Sequence, residues 1–238
     1  MPSDATPLDL IAFVWLLGAW TAFTLVQDYL LEGRVAVNQH LTLIRSVWME
    51  RMLERDNRIM DSQLVGHTMN SCTFFASTTM LVLAGLVGSF GAIERVHEIM
   101  GGLSFTVRTS RELLELKVLV LMGIFVFGFF KFTWALRQYN YCCALLGSAP
   151  LPPVPEAERK TMARNIAAAM TLAVKAFNGG LRSYYFALAA LAWFIHPGVL
   201  IAATAFVLVV LIRRQAFSRT ERVISAQADA LERGVTKQ

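Results

Sequence analysis

Charge is scarce in this chain, and so is recognisable chemistry. Only 16% of the 238 residues are Asp, Glu, Lys or Arg, against roughly 25% in an average soluble domain. The shortage is uneven: charges cluster in a few stretches and leave long apolar runs between them. That distribution excludes an ordinary water-soluble domain. There is no Lys/Arg block and no basic stripe interleaved with aromatics, so the net charge of +5 does not indicate a nucleic-acid partner. The three cysteines, Cys72, Cys142 and Cys143, form no CxxC pair and no disulfide framework. Cys142 and Cys143 point about 100° apart on a helix and are poorly placed to share a metal. The four histidines, His40, His67, His97 and His196, have no ligand partner three or four residues on. HExxH, P-loop, Rossmann and GxSxG patterns are all missing. No catalytic, metal or cofactor residues are therefore assigned.

What the chain has is hydrophobicity: 55% apolar residues and a mean hydropathy of +0.50. Each membrane span must satisfy its own backbone hydrogen bonds, so helices are expected. The reading is all-α: a polytopic helical membrane protein with about five transmembrane helices plus two amphipathic cytoplasmic helices, forming one integral membrane domain. Four spans, the last kinked or re-entrant, are the alternative.

The first apolar run, residues 8–31, reaches ~36 Å at 1.5 Å per residue and crosses a ~30 Å hydrocarbon core with some tilt. Residues 1–7 carry no Lys or Arg, and no small-residue cleavage site follows, so the run reads as a retained span rather than a signal peptide. Across 34–67, Leu41, Ile44, Trp48, Met52 and Ile59 form one helical stripe. The opposite face offers i, i+4 pairs such as Glu54 with Arg58. This reads as a single amphipathic cytoplasmic helix. Residues 69–93 form a second span rich in Ser71, Thr73, Ser77, Thr78 and Thr79, hydroxyls that bond to their own helix or to a neighbour. Residues 94–112 read as a polar connection broken at Gly101-Gly102. Thr109 and Glu112 read as a capping box for the third span, 110–136.

The apolar core of the third span, Val118 to Phe130, is short and flanked by Lys117 and Lys131. Helical periodicity continues to about Leu146. Lys131 reads as a snorkelling cation or a partner for Asp28. Pro150, Pro152, Pro153 and Pro155 break the chain. Glu156 opens a second amphipathic helix, striped by Met162, Ile166, Met170, Ala173 and Phe177 and expected to end at Asn178-Gly179-Gly180. Two short spans follow, 181–195 and 197–213, joined by a tight turn at His196-Pro197-Gly198. The cytoplasmic segments are then 34–67, 137–180 and 214–238.

The positive-inside rule sets the orientation. With the N-terminus outside the cell, 18 of the 22 Lys and Arg face the cytoplasm. Only Arg95, Arg108, Arg111 and Lys117 face out. The expected location is the inner (plasma) membrane, with a cytoplasmic C-terminus.

The richest charged string, Arg55, Asp56, Asn57 and Arg58 with Asp61 three residues on, is the candidate polar cluster. Arg58 and Asp61 are its expected self-satisfying pair. Asp28, Ser77, Thr78 and Lys131 are the candidate intramembrane polar residues.

Two segments look familiar. One runs Met52-Leu53-Glu54-Arg55-Asp56-Asn57-Arg58-Ile59 and on through Ser71 to Phe74-Phe75-Ala76-Ser77-Thr78-Thr79. The other is Phe177-Asn178-Gly179-Gly180-Leu181-Arg182-Ser183-Tyr184-Tyr185-Phe186-Ala187-Leu188, followed by His196-Pro197. Together they resemble the membrane-protein family catalogued as domain of unknown function 599, found in proteobacteria and plants. The resemblance covers most of the chain. It implies an inner-membrane protein for a bacterial source, and it supplies no activity and no catalytic residues.

The functional expectation is a non-enzymatic membrane protein that self-associates and forms a channel or transport path. Its expected partners are the lipid bilayer and other copies of itself. The alternatives are an accessory or assembly subunit of a larger membrane complex, and a lipid-modifying enzyme using Asp56, Asp61 and His67.

Overall fold

The computed structural model describes residues 5–27, 36–102, 109–216 and 219–235. About 90% of it is helical, and the described residues contain no strand. In chain order the helices are α1 (Pro7–Leu25), α2 (Ala36–Leu53), α3 (Ile59–Gly91), α4 (Ile93–Gly102), α5 (Arg111–Gly147), α6 (Glu156–Leu191), α7 (Pro197–Ala216) and α8 (Arg219–Val235). A 3-10 turn, Ala192–Phe194, separates α6 from α7. Four helices, α1, α3, α5 and the one beginning at Pro197, are long and apolar enough to cross a membrane.

Two compact units divide the chain. The first comprises residues 1–26, 75–130 and 179–213, and the second residues 27–74, 131–178 and 214–238. Helices α3, α5 and α6, and the last turn of α7, each contribute to both. In the first unit, Leu16, Phe23, Leu121, Ile124, Phe186, Trp193 and Leu200 form the apolar core. Trp20 packs edge-on against Phe127 and stacks on Phe186. In the second unit the core is Met49, Met52, Val65, Cys72, Tyr139, Cys142, Ile166 and Met170. There α8 packs against α2.

Several expectations hold. α5 continues to Gly147, past the apolar run, as its periodicity indicates. The prolines from Pro150 to Pro155 lie between α5 and α6. Met162, Ile166, Met170, Ala173 and Phe177 face inward on α6. Pro197 opens α7, where its missing N–H costs nothing.

Others do not. The stretch 34–67 is two helices rather than one: α2 stops at Leu53 and α3 starts at Ile59. The Asn57 side chain accepts from the Ile59 N–H at 3.0 Å, satisfying one of the donors left open at a helix start. Ile59 is consequently 63% exposed, outside the stripe to which its spacing assigned it. The connection at 94–112 contains a ten-residue helix, α4, which ends at the two glycines. Ser110, not Thr109, caps α5, its hydroxyl accepting from the Leu113 N–H at 3.2 Å.

The largest departure is α6. It runs unbroken through Asn178-Gly179-Gly180 to Leu191. A glycine inside a helix costs only about 1 kcal/mol relative to Ala, and packing supplies the return. Gly128 of α5 lies against Ser183 and the Gly180 carbonyl, and an added Cβ would collide with the Ser183 hydroxyl.

Candidate functional site

The charged string found in the sequence is the corner between α2 and α3, in the second unit. Asp61 sits in the first turn of α3, where the helix dipole favours a carboxylate. It is 1% exposed, and its acceptors are engaged. Trp48 Nε1 donates to Oδ1 at 2.7 Å, and Arg55 Nη1 donates to Oδ1 at 3.1 Å and to Oδ2 at 3.2 Å. Arg58 does not pair with Asp61 or with Glu54. Its guanidinium donates to the Ala149 carbonyl at 2.9 Å and to the Pro150 carbonyl at 2.6 Å. It thereby fastens the start of the proline-rich loop to the corner. Glu54 instead faces Arg159 at 3.3 Å, with Glu50 on the same guanidinium at 3.8 Å. That contact neutralises part of the basic face expected on α6. Nearby, Arg45 donates to Thr171 Oγ1 at 3.2 Å, and burial pushes its guanidinium below the usual arginine value.

The hydrogen bonds of Asp61 and Arg58 tie the α2–α3 corner together. Asp56 and Asn57 are exposed, as is His67 one helical stretch away. The Asp61 oxygens accept from a tryptophan N–H and a guanidinium. Among the described residues no group of three or more His, Cys, Asp or Glu is disposed to hold a metal.

The remaining predicted polar residues scatter. Asp28 lies outside the described residues. Ser77 is exposed, Thr78 half-buried and Lys131 half-buried. The hydroxyl that is fully buried is their neighbour Thr79, which donates to the Phe75 carbonyl and meets the Tyr184 hydroxyl at 2.8 Å. Of the two lysines flanking the apolar core of α5, the buried one is Lys117, at 3% exposure.

Lys117 belongs to a second polar group, in the first unit, that sequence reading missed. Thr6 caps α1 in a reciprocal box with Asp9. The Asp9 N–H donates to Thr6 Oγ1 at 3.2 Å, while Asp9 Oδ2 accepts from the Thr6 N–H at 3.1 Å and from its hydroxyl at 2.6 Å. Asp9 Oδ1 accepts from Trp193 Nε1 at 2.8 Å, across 184 residues of sequence. Lys117 Nζ stands over the Trp193 ring, 5.8 Å from its centre, and interacts electrostatically with Asp9. The Thr6-x-x-Asp9 spacing was the local signal for the cap. Nothing local announces Trp193 or Lys117.

Beside this group opens a cavity of about 370 Å³, within the size range of small-molecule sites. Thr6, Asp9, Leu10 and Phe13 of the α1 region form one wall, and Leu113, Leu116 and Val120 of α5 the other, with Trp193 between them. Phe13 stacks on Trp193, centroids 5.8 Å apart. Apart from the Thr6–Asp9 end, the walls are apolar.

The family model described as protein of unknown function, DUF599, matches residues 11–220. No curated protein and no solved structure matches the chain.

Proposed function

The chain belongs to the DUF599 family of proteins of unknown function, and from that membership and the geometry above we propose a multi-span membrane protein that works as a self-associating assembly. The exposed face of α3 carries the reading. Only 11% of the apolar window of α3 is buried within the chain, against 44% for α5. Thr73, Ser77, Leu81 and Gly85 recur every fourth residue along it, followed by Gly88, and all are exposed. A Cβ added at Gly85 or Gly88 would meet nothing within 4 Å. The small members of this face, Thr73, Ser77, Gly85 and Gly88, would let a second helix approach closely in lipid. Thr73 is satisfied by the Met69 carbonyl, so a neighbouring helix or water is optional for it.

Placing the N-terminus outside and the C-terminus in the cytoplasm draws support from the charges. Sixteen of the 22 Lys and Arg fall in segments of the second unit, which also holds the tail. With α1, α3, α5, the 179–191 part of α6 and α7 as five crossings, that bias satisfies the positive-inside rule. The channel version adds that copies meet around the Thr73–Ser77 face and enclose a polar path.

Disulfide trapping tests self-association. In a Cys143→Ser background, which removes the exposed cysteine, Ser77→Cys and Leu81→Cys should each give oxidised dimers in native membranes. Leu119→Cys on α5, also exposed, should not. Monomers at both α3 positions would overturn the reading. Ion flux in proteoliposomes then separates a channel from a closed assembly.

A further inference from the structure

We infer that the crevice between α1 and α5 is a binding site for an uncharged, hydrocarbon-tailed amphiphile drawn from the bilayer. The inference rests on the membrane reading above. Three features of the crevice set the class of ligand.

The first is shape. The lining runs from Thr6 to Phe13 on one helix and from Leu113 to Val120 on the other, about 10 Å of rise on each. That length suits one extended chain segment. The second is access. Leu10 is 47% and Leu116 39% exposed, so both stand at the outer edge of the unit, where lipid would meet them. A chain can enter sideways between them and pack on Phe13 and Trp193 without crossing a polar barrier.

The third is charge. The polar end is lined by one carboxylate, Asp9 at 6% exposure; the Lys117 ammonium, at 3%, lies outside the lining, over the Trp193 ring. The two charges oppose each other. The Asp9 oxygens are moreover taken by Thr6 and Trp193. An anionic headgroup would meet the Asp9 carboxylate directly, and a cationic one would find those oxygens already engaged and the Lys117 ammonium beyond the Trp193 ring, each at a cost in a dry setting. A hydroxyl or ester headgroup meets neither penalty and can hydrogen-bond at the exposed Thr6 rim.

Photolabelling tests this. The full chain in phosphatidylcholine nanodiscs is irradiated with diazirine-tailed monoacylglycerol, fatty acid or alkylamine, and labelled residues are mapped by peptide mass spectrometry. The monoacylglycerol should label Leu10, Leu116 and Val120 above the exposed Phe206 and Val209 of α7. The two charged probes should show no such enrichment. Leu116→Trp, which fills the crevice, should abolish the enrichment, whereas Leu119→Trp on the adjoining exposed face should leave it. Asp9→Asn removes the carboxylate from the polar end and should transfer the preference to the fatty acid. Equal labelling of α7 and the crevice, a charged probe preferred by the unaltered chain, or enrichment that survives Leu116→Trp would each overturn the inference. Should Asp9→Asn fail to fold, the two tryptophan variants still decide it. Labelling on α7 alone would leave the membrane reading standing while removing the site; labelling nowhere would remove both.

Discussion

At the scale of single residues, Asp61 carries more than its neighbours in the charged string. It closes the α2–α3 corner through Trp48 and Arg55, so Asp61→Ala strands a tryptophan N–H and frees a half-exposed guanidinium. The stranded donor sets the loss at about 2 kcal/mol, because Arg55, 36% exposed, recovers water. Asp61→Asn retains an acceptor for Trp48 and should cost visibly less. Asp56→Asn, on an exposed side chain, should stay within about 0.5 kcal/mol. Thermal unfolding of the three purified variants checks the order. Were the string an enzyme site, Asp56 and Asp61 would instead be alike in lowering function without lowering stability. The string itself was legible because five polar residues in a row interrupt an apolar pattern. Its purpose was not, since the two carbonyls that hold the Arg58 Nη atoms lie more than ninety residues away and local spacing favoured the nearer acids. Asp9 shows the same limit more sharply. Its cap could be read locally, while its bond to Trp193 exists only once the chain has folded.

At the scale of elements, periodicity located the helices, and glycine and proline marked most of their boundaries, Gly179-Gly180 being the exception. Pro197 marked a true start because three local facts agree. Pro occupies the first helical position, the His196 ring nitrogen Nδ1 accepts from the Gly198 N–H at 2.9 Å, and Gly198 has no Cβ to press on that ring. His196→Ala removes the cap acceptor and should cost about 1 kcal/mol, with His196→Asn recovering most of it. Gly179-Gly180 misled because a packed helix runs on through them: both are buried, and the Gly180 carbonyl lies by Gly128 of α5, a contact that no window of sequence displays. Two glycines of α5 make the distinction measurable. Gly123 has open space around it, so Gly123→Ala should stabilise by about 0.5–1 kcal/mol through helix propensity. Gly128→Ala must displace the Ser183 hydroxyl from the Gly180 carbonyl, which it meets at 2.7 Å. Gly128→Leu should destabilise by about 1–3 kcal/mol through overpacking. Melting temperatures in one detergent should move in opposite directions for Gly123→Ala and Gly128→Leu. The break at 54–58 escaped notice for the converse reason: Met52 and Ile59 are seven residues apart, two helical turns, so the stripe runs on across a corner where the chain does not.

For the whole molecule, the proposed topology follows from the distribution of charge, and it makes a definite claim about two particular positions. Cys143, exposed near the end of α5, belongs to a cytoplasmic segment in that scheme. Glu98, exposed on α4, belongs to the outer connection between α3 and α5. The positive-inside bias concerns Lys and Arg close to span ends, and α4 carries only Arg95 while α6 carries Arg159, Lys160, Arg164, Lys175 and Arg182. A membrane-impermeant maleimide should therefore label Glu98→Cys, in a Cys143→Ser background, on intact spheroplasts. It should label native Cys143 only in inverted vesicles or after permeabilisation. The two buried thiols, Cys72 and Cys142, should stay silent in both. The reverse pattern would invert the orientation and place the basic segments against the rule. Labelling of both sites from one side would require an even number of crossings between α4 and the end of α5, so α5 would not span. A C-terminal fusion completes the test. If 179–191 and α7 both cross, the tail shares the side of Cys143. If the part of α6 beyond Asn178 only dips into the bilayer and returns, α7 becomes a fourth crossing and the tail appears on the side of Glu98.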